Sequence, residues 1–352
     1  MSSIIIIGDT HLGQSLSIGT IGIGSNLNSR IIDQINLLDW TLEQAIEIGV
    51  SHIIVTGDIF DEPKPLPSLI TLLVSWLKKC QTYSIHVHLI YGNHDILRSG
   101  FTYSSPLDII SEIELDNVSV YKHIDTIFID NTAFTFIPFR DRKSLGTNSN
   151  QIALSLLKDS LIYELSSIPI IYQKIVVGHL AIEGSIPVGN EIDDISNELF
   201  CPIDMFNGYD YVWMGHVHQP QVLNKHNPYV AHIGSMDISN FGETEHNKHI
   251  VILDLLSKTF TTKKLPTRLL KKISVTVPVG VNDVTQYIIQ QIEEMKDNLS
   301  DSTIKLDIIL DSSEVQFSNK SAIEKFLLSA GVFNVNRITE SKKSLLIKRD
   351  NS

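Results

Sequence analysis

Residues 4–13 read IIIIGDTHLG: four isoleucines that stop at a glycine and deliver Asp9 and His11 two positions apart. An unbroken apolar run of this length predicts a buried strand. A carboxylate and an imidazole at its end are costly there unless something pairs with them. The chain then repeats the arrangement. HIIVTGD at 52–58, IHVHLIYGNHD at 85–95, KIVVGHL at 174–180 and DYVWMGHVH at 210–218 are further apolar runs ending in glycine and a polar group. Between them, 29–49 carries apolar residues at three- and four-residue intervals and predicts a helix stopped by Gly49, and 66–80 predicts a second helix. Further strands are expected at DTIFID, TAFTFIPF and KHIVILDL. Strand and helix alternating at this spacing predict a layered α/β domain.

In such a sheet the carboxyl ends of the strands converge on one rim, where these folds place their ligands. The five endings would bring together Asp9, His11, Asp58, Asn93, His179, His216 and His218, a mixed oxygen and nitrogen set suited to a pair of divalent metal ions. Two ions about 3.5–4 Å apart would share one bridging carboxylate. Within GHVH, the i, i+2 spacing lets both imidazoles face one side of an extended segment. A lone Gly-Asp is usually a turn, and a lone Gly-His carries little. Five endings with ligand-type residues argue for one shared site. His86 and His88 copy the later HVH tripeptide but lie inside a strand, several residues before its polar end, so they read as structural. His52, His123, His226, His232, His246 and His249 also default to surface or internally satisfied roles.

With 352 residues, 43% of them hydrophobic, the chain can bury a large core and is expected to form one large domain and a smaller one. Cys80 and Cys201 cannot make a disulfide framework and read as buried free thiols. No apolar stretch approaches the roughly 20 residues needed to cross a bilayer, and the start lacks a signal-peptide pattern, so an intracellular, cytoplasmic protein with no membrane partner is expected. The net charge of −12 is unevenly spread. Residues 1–257 hold 13 Lys and Arg against 29 Asp and Glu, net −16, whereas 258–352 hold 15 against 11, net +4. Carboxylates that bind cations would account for part of the acidic excess. The basic stretch TKKLPTRLLKK at 262–272 marks a boundary, placing a first domain at 1–262 and a small α/β domain at 263–352. The latter has strands at 273–279 and 303–310 and helices at 284–299 and 319–331.

The ordered set GDTH, GDIFD, GNHD, GH and GHVH resembles the calcineurin-like metallophosphoesterase superfamily. Within it, PLPS after the second motif, FIPFR before the fourth and IGSMDISNFGE after the fifth are most similar to the SbcD nucleases. The serine/threonine phosphatases of the superfamily carry GNHE, where this chain has GNHD. The resemblance implies a four-layer αββα sandwich with a small C-terminal α/β capping domain that helps grip DNA. It implies two divalent ions, Mn2+ foremost: Asp9, His11 and His218 on one, Asn93, His179 and His216 on the other, Asp58 bridging. His94 would protonate the leaving oxygen and Asp95 would orient it, while Asp61 stands where some members carry a histidine that assists phosphate handling. The implied activity is 3′-to-5′ exonuclease with single-strand or hairpin endonuclease cleavage of DNA, and Lys263, Lys264, Arg268, Lys271 and Lys272 are the candidates for DNA backbone contacts. A small-molecule or cyclic-nucleotide phosphodiesterase of the same superfamily is the alternative. A second alternative is a chain that acts chiefly as an assembly subunit. The helix candidates LITLLVSWLKK, apolar on nearly every face, and SPLDIISEIE resemble those through which the family forms homodimers. Family members also pair with an SbcC-type ATPase through helices beyond the capping domain, a segment expected to be short or absent here because LLIKRDNS follows soon after the last expected strand. The loop Gln14–Asn28 is expected to border the site entrance.

Overall fold

The computed structural model describes residues 3–21, 26–99, 102–113, 115–186, 198–243, 247–311 and 317–342. Two compact units emerge. The first takes Met1–Gln14, Arg30–Asp237 and Glu245–Thr267; the second takes Ser15–Ser29, Ile238–Thr244 and Arg268–Ser352.

In the first unit the isoleucine run forms the strand Ser3–Ile7, inside a six-stranded sheet ordered Thr259–Lys264, His249–Asp254, Ser3–Ile7, His52–Val55, His86–Ile90, Val118–Tyr121. The last four are mutually parallel, and the strands at 249–264 join antiparallel. Ile4 and Ile6 point into a core shared with Phe134, Phe136, Ile175, Val177 and Trp213. Ile5 and Ile7 point the other way, into a core with Leu37, Leu38, Leu42, Leu73, Trp76 and Leu77, which lie on the helices Ser29–Ile48 and Pro67–Thr82. A strand covered on both faces has no solvent side to leave polar, which is why the run does not alternate. Each such isoleucine, fully buried, contributes about 1.5–3 kcal/mol.

The second sheet is ordered Gln221–Asn224, Tyr229–His232, Tyr211–Met214, Gln173–Gly178, Thr132–Ile137, Asp125–Ile129. Its outer face packs Ala133, Ile137, Val176, Val212 and Met214 against Ala153, Leu157 and Leu161 of the helix Asn150–Ser167. Helix, sheet, sheet and helix make four layers, and both sheets aim the ends of their parallel strands at one rim.

Helix ends follow local chemistry. Gly49 takes φ +78° directly after Ser29–Ile48, a conformation that favours glycine. Pro67 opens Pro67–Thr82, where its missing N–H costs nothing. That helix is less uniformly apolar than its sequence suggests. It buries Leu69, Leu73, Trp76, Leu77 and Cys80 along one side, while the exposed Thr71 and Ser75 return their hydroxyls to the carbonyls of Pro67 and Thr71. The helix Pro106–Glu112 is fixed by a reciprocal cap between Ser105 and Asp108.

The second unit contains three parallel strands, Leu270–Val277, Thr303–Leu310 and Asn334–Lys342. Ile288, Ile292, Ile323 and Leu327 of the helices Val284–Glu293 and Lys320–Ser329 pack on Val275, Val277, Leu306 and Ile308. The segments at 15–29 and 238–244 belong with it: Asn334 and Asn336 donate to the carbonyls of Ile18 and Ser17 at 2.9 and 3.0 Å, and Ser15 Oγ donates to Ser239 O at 2.5 Å. Residues 22–25 of the Gln14–Asn28 loop, His246 and the C-terminal LLIKRDNS lie outside the described residues. Among the described residues no helix is long and apolar enough to cross a membrane.

Candidate metal centre

The motif loops leave the strands at Ile7, Val55, Ile90, Gly178 and Met214, and backbone hydrogen bonds stitch them together. The N–H groups of Thr10 and His11 donate to the Asp58 carbonyl at 3.1 and 2.9 Å. His94 N donates to Asp58 Oδ1 at 2.8 Å, and His216 N to Asp9 Oδ2 at 2.9 Å. Each aspartate thus spends one oxygen on a neighbouring loop and is held in a fixed pose. Glycine precedes these ligands because the loops leave no room for a side chain. A Cβ on Gly92 would sit 2.0 Å from Asp58 Oδ1, and one on Gly215 would sit 2.3 Å from Asp9 Oδ1. Three of the residues themselves are left-handed: His11 at φ 41°, Asp58 at 47° and His216 at 81°. Each costs on the order of 1–3 kcal/mol and persists only where the surroundings over-determine it.

The side chains converge. His11 Nε2 lies 3.0 Å from His218 Nε2 and 3.5 Å from Asp58 Oδ2. His179 Nε2 lies 3.2 Å from Asp58 Oδ2 and 2.9 Å from Asn93 Oδ1. His216 Nδ1 lies 2.9 Å from the same Asn93 oxygen and 3.3 Å from His179 Nε2. Asp9, His11 and His218 form one group whose donor atoms fall within 4.8 Å of one another; Asp9, Asp58 and His179 form a second, and His11, Asp58 and His94 a third. All but the rim residues Asn93 and His94 are buried. Ring nitrogens and carboxylate oxygens packed this closely are a set of electron pairs aimed at a common interior, and they fit divalent cations of borderline softness.

Burial and the nearby carboxylates pull the histidines' proton affinities in opposite directions. Burial alone would push His179 down, but Asp58 and Asp9 raise it to about 9. Burial likewise opposes charge on Asp58, yet His179 and His94 hold its carboxyl well below the usual range. His94 is raised, Asp58 and Asp61 prevailing over burial. His11 is lowered by burial, against Asp61 and Asp58.

The nitrogen of each ring that turns away from the cluster meets an acceptor in several cases. His179 Nδ1 lies 3.0 Å from the Thr56 carbonyl, and His11 Nδ1 lies 3.4 Å from Asp61 Oδ1. His216 Nε2 lies 3.4 Å from Glu198 Oε1. His94 Nδ1 donates to the Asp61 carbonyl at 2.8 Å. The Asp95 carboxylate, expected to orient the His94 ring, instead accepts the N–H groups of Ile59, Phe60 and Gly92 at 3.2, 3.1 and 3.0 Å. It braces the loops rather than the imidazole. Burial and the nearby Asp58 charge push it up.

The five basic candidates divide between the units. Lys263 and Lys264 end the edge strand Thr259–Lys264 of the first unit, where Lys263 bonds Gln44, lies 3.7 Å from Glu47 and sits over the Trp40 ring. Lys264 is exposed. In the second unit Arg268 pairs with Asp301 and stacks 3.6 Å over Phe333, and Lys272 lies 3.4 Å from Asp307. Lys271 is half-buried.

Sequence reasoning misses three contributors. Thr56 supplies its carbonyl to His179 and its hydroxyl to Asp9 at 3.3 Å. Lys248, 1% exposed, donates to the His218 carbonyl at 2.8 Å and to Ser235 Oγ at 2.7 Å, pinning the HVH loop from behind. Glu198 is the third. Thr56 adjoins a recognised motif and could have been found; a single lysine or glutamate far from any motif gives no signal.

The family model for the calcineurin-like phosphoesterases matches residues 2–220, and the chain belongs to that family. It is 25% identical to the SbcD subunit of nuclease SbcCD from Escherichia coli K12, over 96% of this chain and 86% of that protein. It is 24% identical to the DNA double-strand break repair protein Mre11 of Methanopyrus kandleri, over 69% of this chain and 50% of that protein. Among solved structures, a dimetal phosphatase from Danio rerio aligns with 75% of this chain and 96% of its own, at 12% identity and a TM-score of 0.47.

Proposed function

We propose that this chain is a metal-dependent DNA nuclease that removes nucleotides 3′ to 5′ and also cuts single strands or hairpins, using two divalent ions, with manganese as the working metal. The convergence of five strand-end loops on one buried cluster of carboxylates and imidazoles carries the reading; a relative named as a nuclease subunit, aligned over 96% of the chain, and one named as a DNA double-strand break repair protein direct it toward DNA. In this assignment Asp9, His11 and His218 would hold one ion, Asn93, His179 and His216 would hold the other, and Asp58 would be shared between them. Bound there, the ions would supply Lewis acidity to a phosphate and lower the pKa of the attacking water toward neutrality.

The chain's own residues do the rest. His94 commits its Nδ1–H to the Asp61 carbonyl, which leaves Nε2 to pass a proton to the departing sugar oxygen. The carboxylates of Asp58 and Asp61 keep that ring inclined to stay protonated. The basic segment 263–352 grips the DNA backbone, with Lys264 and Lys271 the stronger contributors because Lys263, Arg268 and Lys272 already face acidic partners. An SbcC-type ATPase and a second copy of the chain are the proposed partners.

Incubating the purified chain and Mn2+ with end-labelled duplex DNA, single-stranded DNA and bis-p-nitrophenyl phosphate tests the reading. Shortening of DNA from its 3′ ends, abolished by chelation, is expected. Turnover of the small ester with intact DNA would make the chain a small-molecule phosphodiesterase instead.

A further inference from the structure

Glu198 enters the site by a route the motifs do not describe. The strand Ala181–Ile182 starts two residues after His179 and pairs in parallel with Phe200–Cys201. That pairing, closed by a bond from Glu183 N to Cys201 O at 2.9 Å, returns the chain beside the centre after the segment at 187–197. Glu198 is 7% exposed, and its Oε1 faces His216 Nε2 at 3.4 Å. Among the described residues neither atom makes a hydrogen bond, and each is the other's facing polar group. On the opposite side of the same ring, His216 Nδ1 faces Asn93 Oδ1 and His179 Nε2.

A neutral imidazole carries one proton on one of two nitrogens. If Nδ1 gives its electron pair to a cation, Nε2 must carry the hydrogen, and a buried N–H needs an acceptor. We propose that Glu198 is a positioning residue for the second ion of the centre: its carboxylate accepts Nε2–H of His216, fixes the tautomer in which Nδ1 is unprotonated, and anchors a ring whose backbone is held at φ 81°. His179 receives the same service from the Thr56 carbonyl, and His11 faces the Asp61 carboxylate. Glu198 completes the set from outside the recognised motifs. The geometry also makes it unsuited to be a ligand itself, because the ring of His216 stands between its carboxylate and the other donors. This inference rests on the two-ion reading above.

Calorimetric titration of the full-length chain with Mn2+ tests it, comparing the unaltered protein with Glu198→Ala and Glu198→Gln. Outer partners of metal-bound histidines are typically worth about 10–100-fold in affinity. The unaltered chain should bind two ions, and Glu198→Ala should weaken one of them by that factor, leave the other unchanged, and recover hydrolysis when Mn2+ is raised. Glu198→Gln, isosteric and still able to accept through its amide oxygen, should fall between the two and guards against a folding defect in the alanine variant. If both variants bind two ions as tightly as the unaltered chain, the positioning role is wrong while the two-ion reading stands. If the unaltered chain itself binds no pair of ions, both fall together.

Discussion

The tripeptide His-Val-His occurs twice in this chain, at 86–88 and 216–218, and the two copies meet opposite fates. His216 and His218 stand in a loop beyond the strand Tyr211–Met214, among Asp9, Asp58 and Asn93. His86 and His88 lie within the strand His86–Ile90, beside His52 on the neighbouring strand. His52 Nδ1 and His88 Nε2 share a hydrogen bond at 3.0 Å, His88 Nδ1 meets the Tyr121 hydroxyl at 2.9 Å, and His86 Nε2 meets Ser119 Oγ at 2.8 Å. Burial and mutual repulsion push His52 down to about 4 and His88 down to about 2. Carboxylates beside His179 take it the other way, to about 9. Among the described residues the groups able to hold a metal all lie in the carboxylate-rich cluster, and none includes His52, His86 or His88. Imidazoles alone make a neutral, internally bonded core feature; imidazoles with buried carboxylates make a centre that attracts cations.

The largest expected separation of the two clusters comes from His94→Ala. It should lower DNA hydrolysis by roughly 10²–10⁴-fold with both Mn2+ ions still bound, measured by single-turnover cleavage and metal titration. Near-normal turnover would move the proton donor elsewhere. Gly215→Ala comes next. Its added Cβ would sit 2.3 Å from Asp9 Oδ1 and 2.5 Å from Thr56 Oγ1, so Asp9 must move, and metal affinity should fall by at least 10-fold on the scale of about 10–100-fold for disturbed ligand support.

The second cluster should respond in stability, not in activity. His52 and His88 are neutral in the folded chain down to about 4 and 2, whereas in the unfolded chain they titrate near the ordinary histidine value of about 6.5. Below that value the unfolded chain takes up protons that the folded chain refuses, so stability falls as the pH drops from about 6.5 toward 4, by up to about 1.4 kcal/mol per pH unit for each histidine. His88→Phe should flatten that slope by one histidine's share in urea unfolding at stepped pH, while cleavage at neutral pH is retained, since His88 belongs to no group able to hold a metal. An unchanged slope would mean that His88 is already charged in the fold. The smallest effect is expected from Lys264→Ala and Lys271→Ala together, which should reduce the salt slope of DNA binding by about one unit for each phosphate left without its lysine.

Much of this is legible in the sequence because it rests on patterns that burial imposes. The isoleucine run of Ser3–Ile7 reports a strand covered on both faces, and the glycines before Asp58, Asn93 and His216 report loops packed against one another. The distinction between the two His-Val-His copies is also readable, since one precedes and the other follows the polar end of its strand. Contacts between distant segments are not. Lys248 reaches the His218 carbonyl across 30 positions, and the register of Ala181–Ile182 with Phe200–Cys201 decides where Glu198 falls. The Asp95 carboxylate misleads for a related reason: adjacency to His94 in sequence suggests contact with its ring, but the carboxylate turns to the N–H of Gly92 in its own turn and to those of Ile59 and Phe60 on the neighbouring loop.

Anomalous diffraction from crystals soaked in Mn2+ tests the central claim most directly. Two peaks about 3.5–4 Å apart, one bounded by Asp9, His11 and His218, the other by Asn93, His179 and His216, with Asp58 touching both and no peak beside His52, His86 and His88, is the predicted result. A peak at the three-histidine cluster, or no peak among the carboxylates, would contradict it.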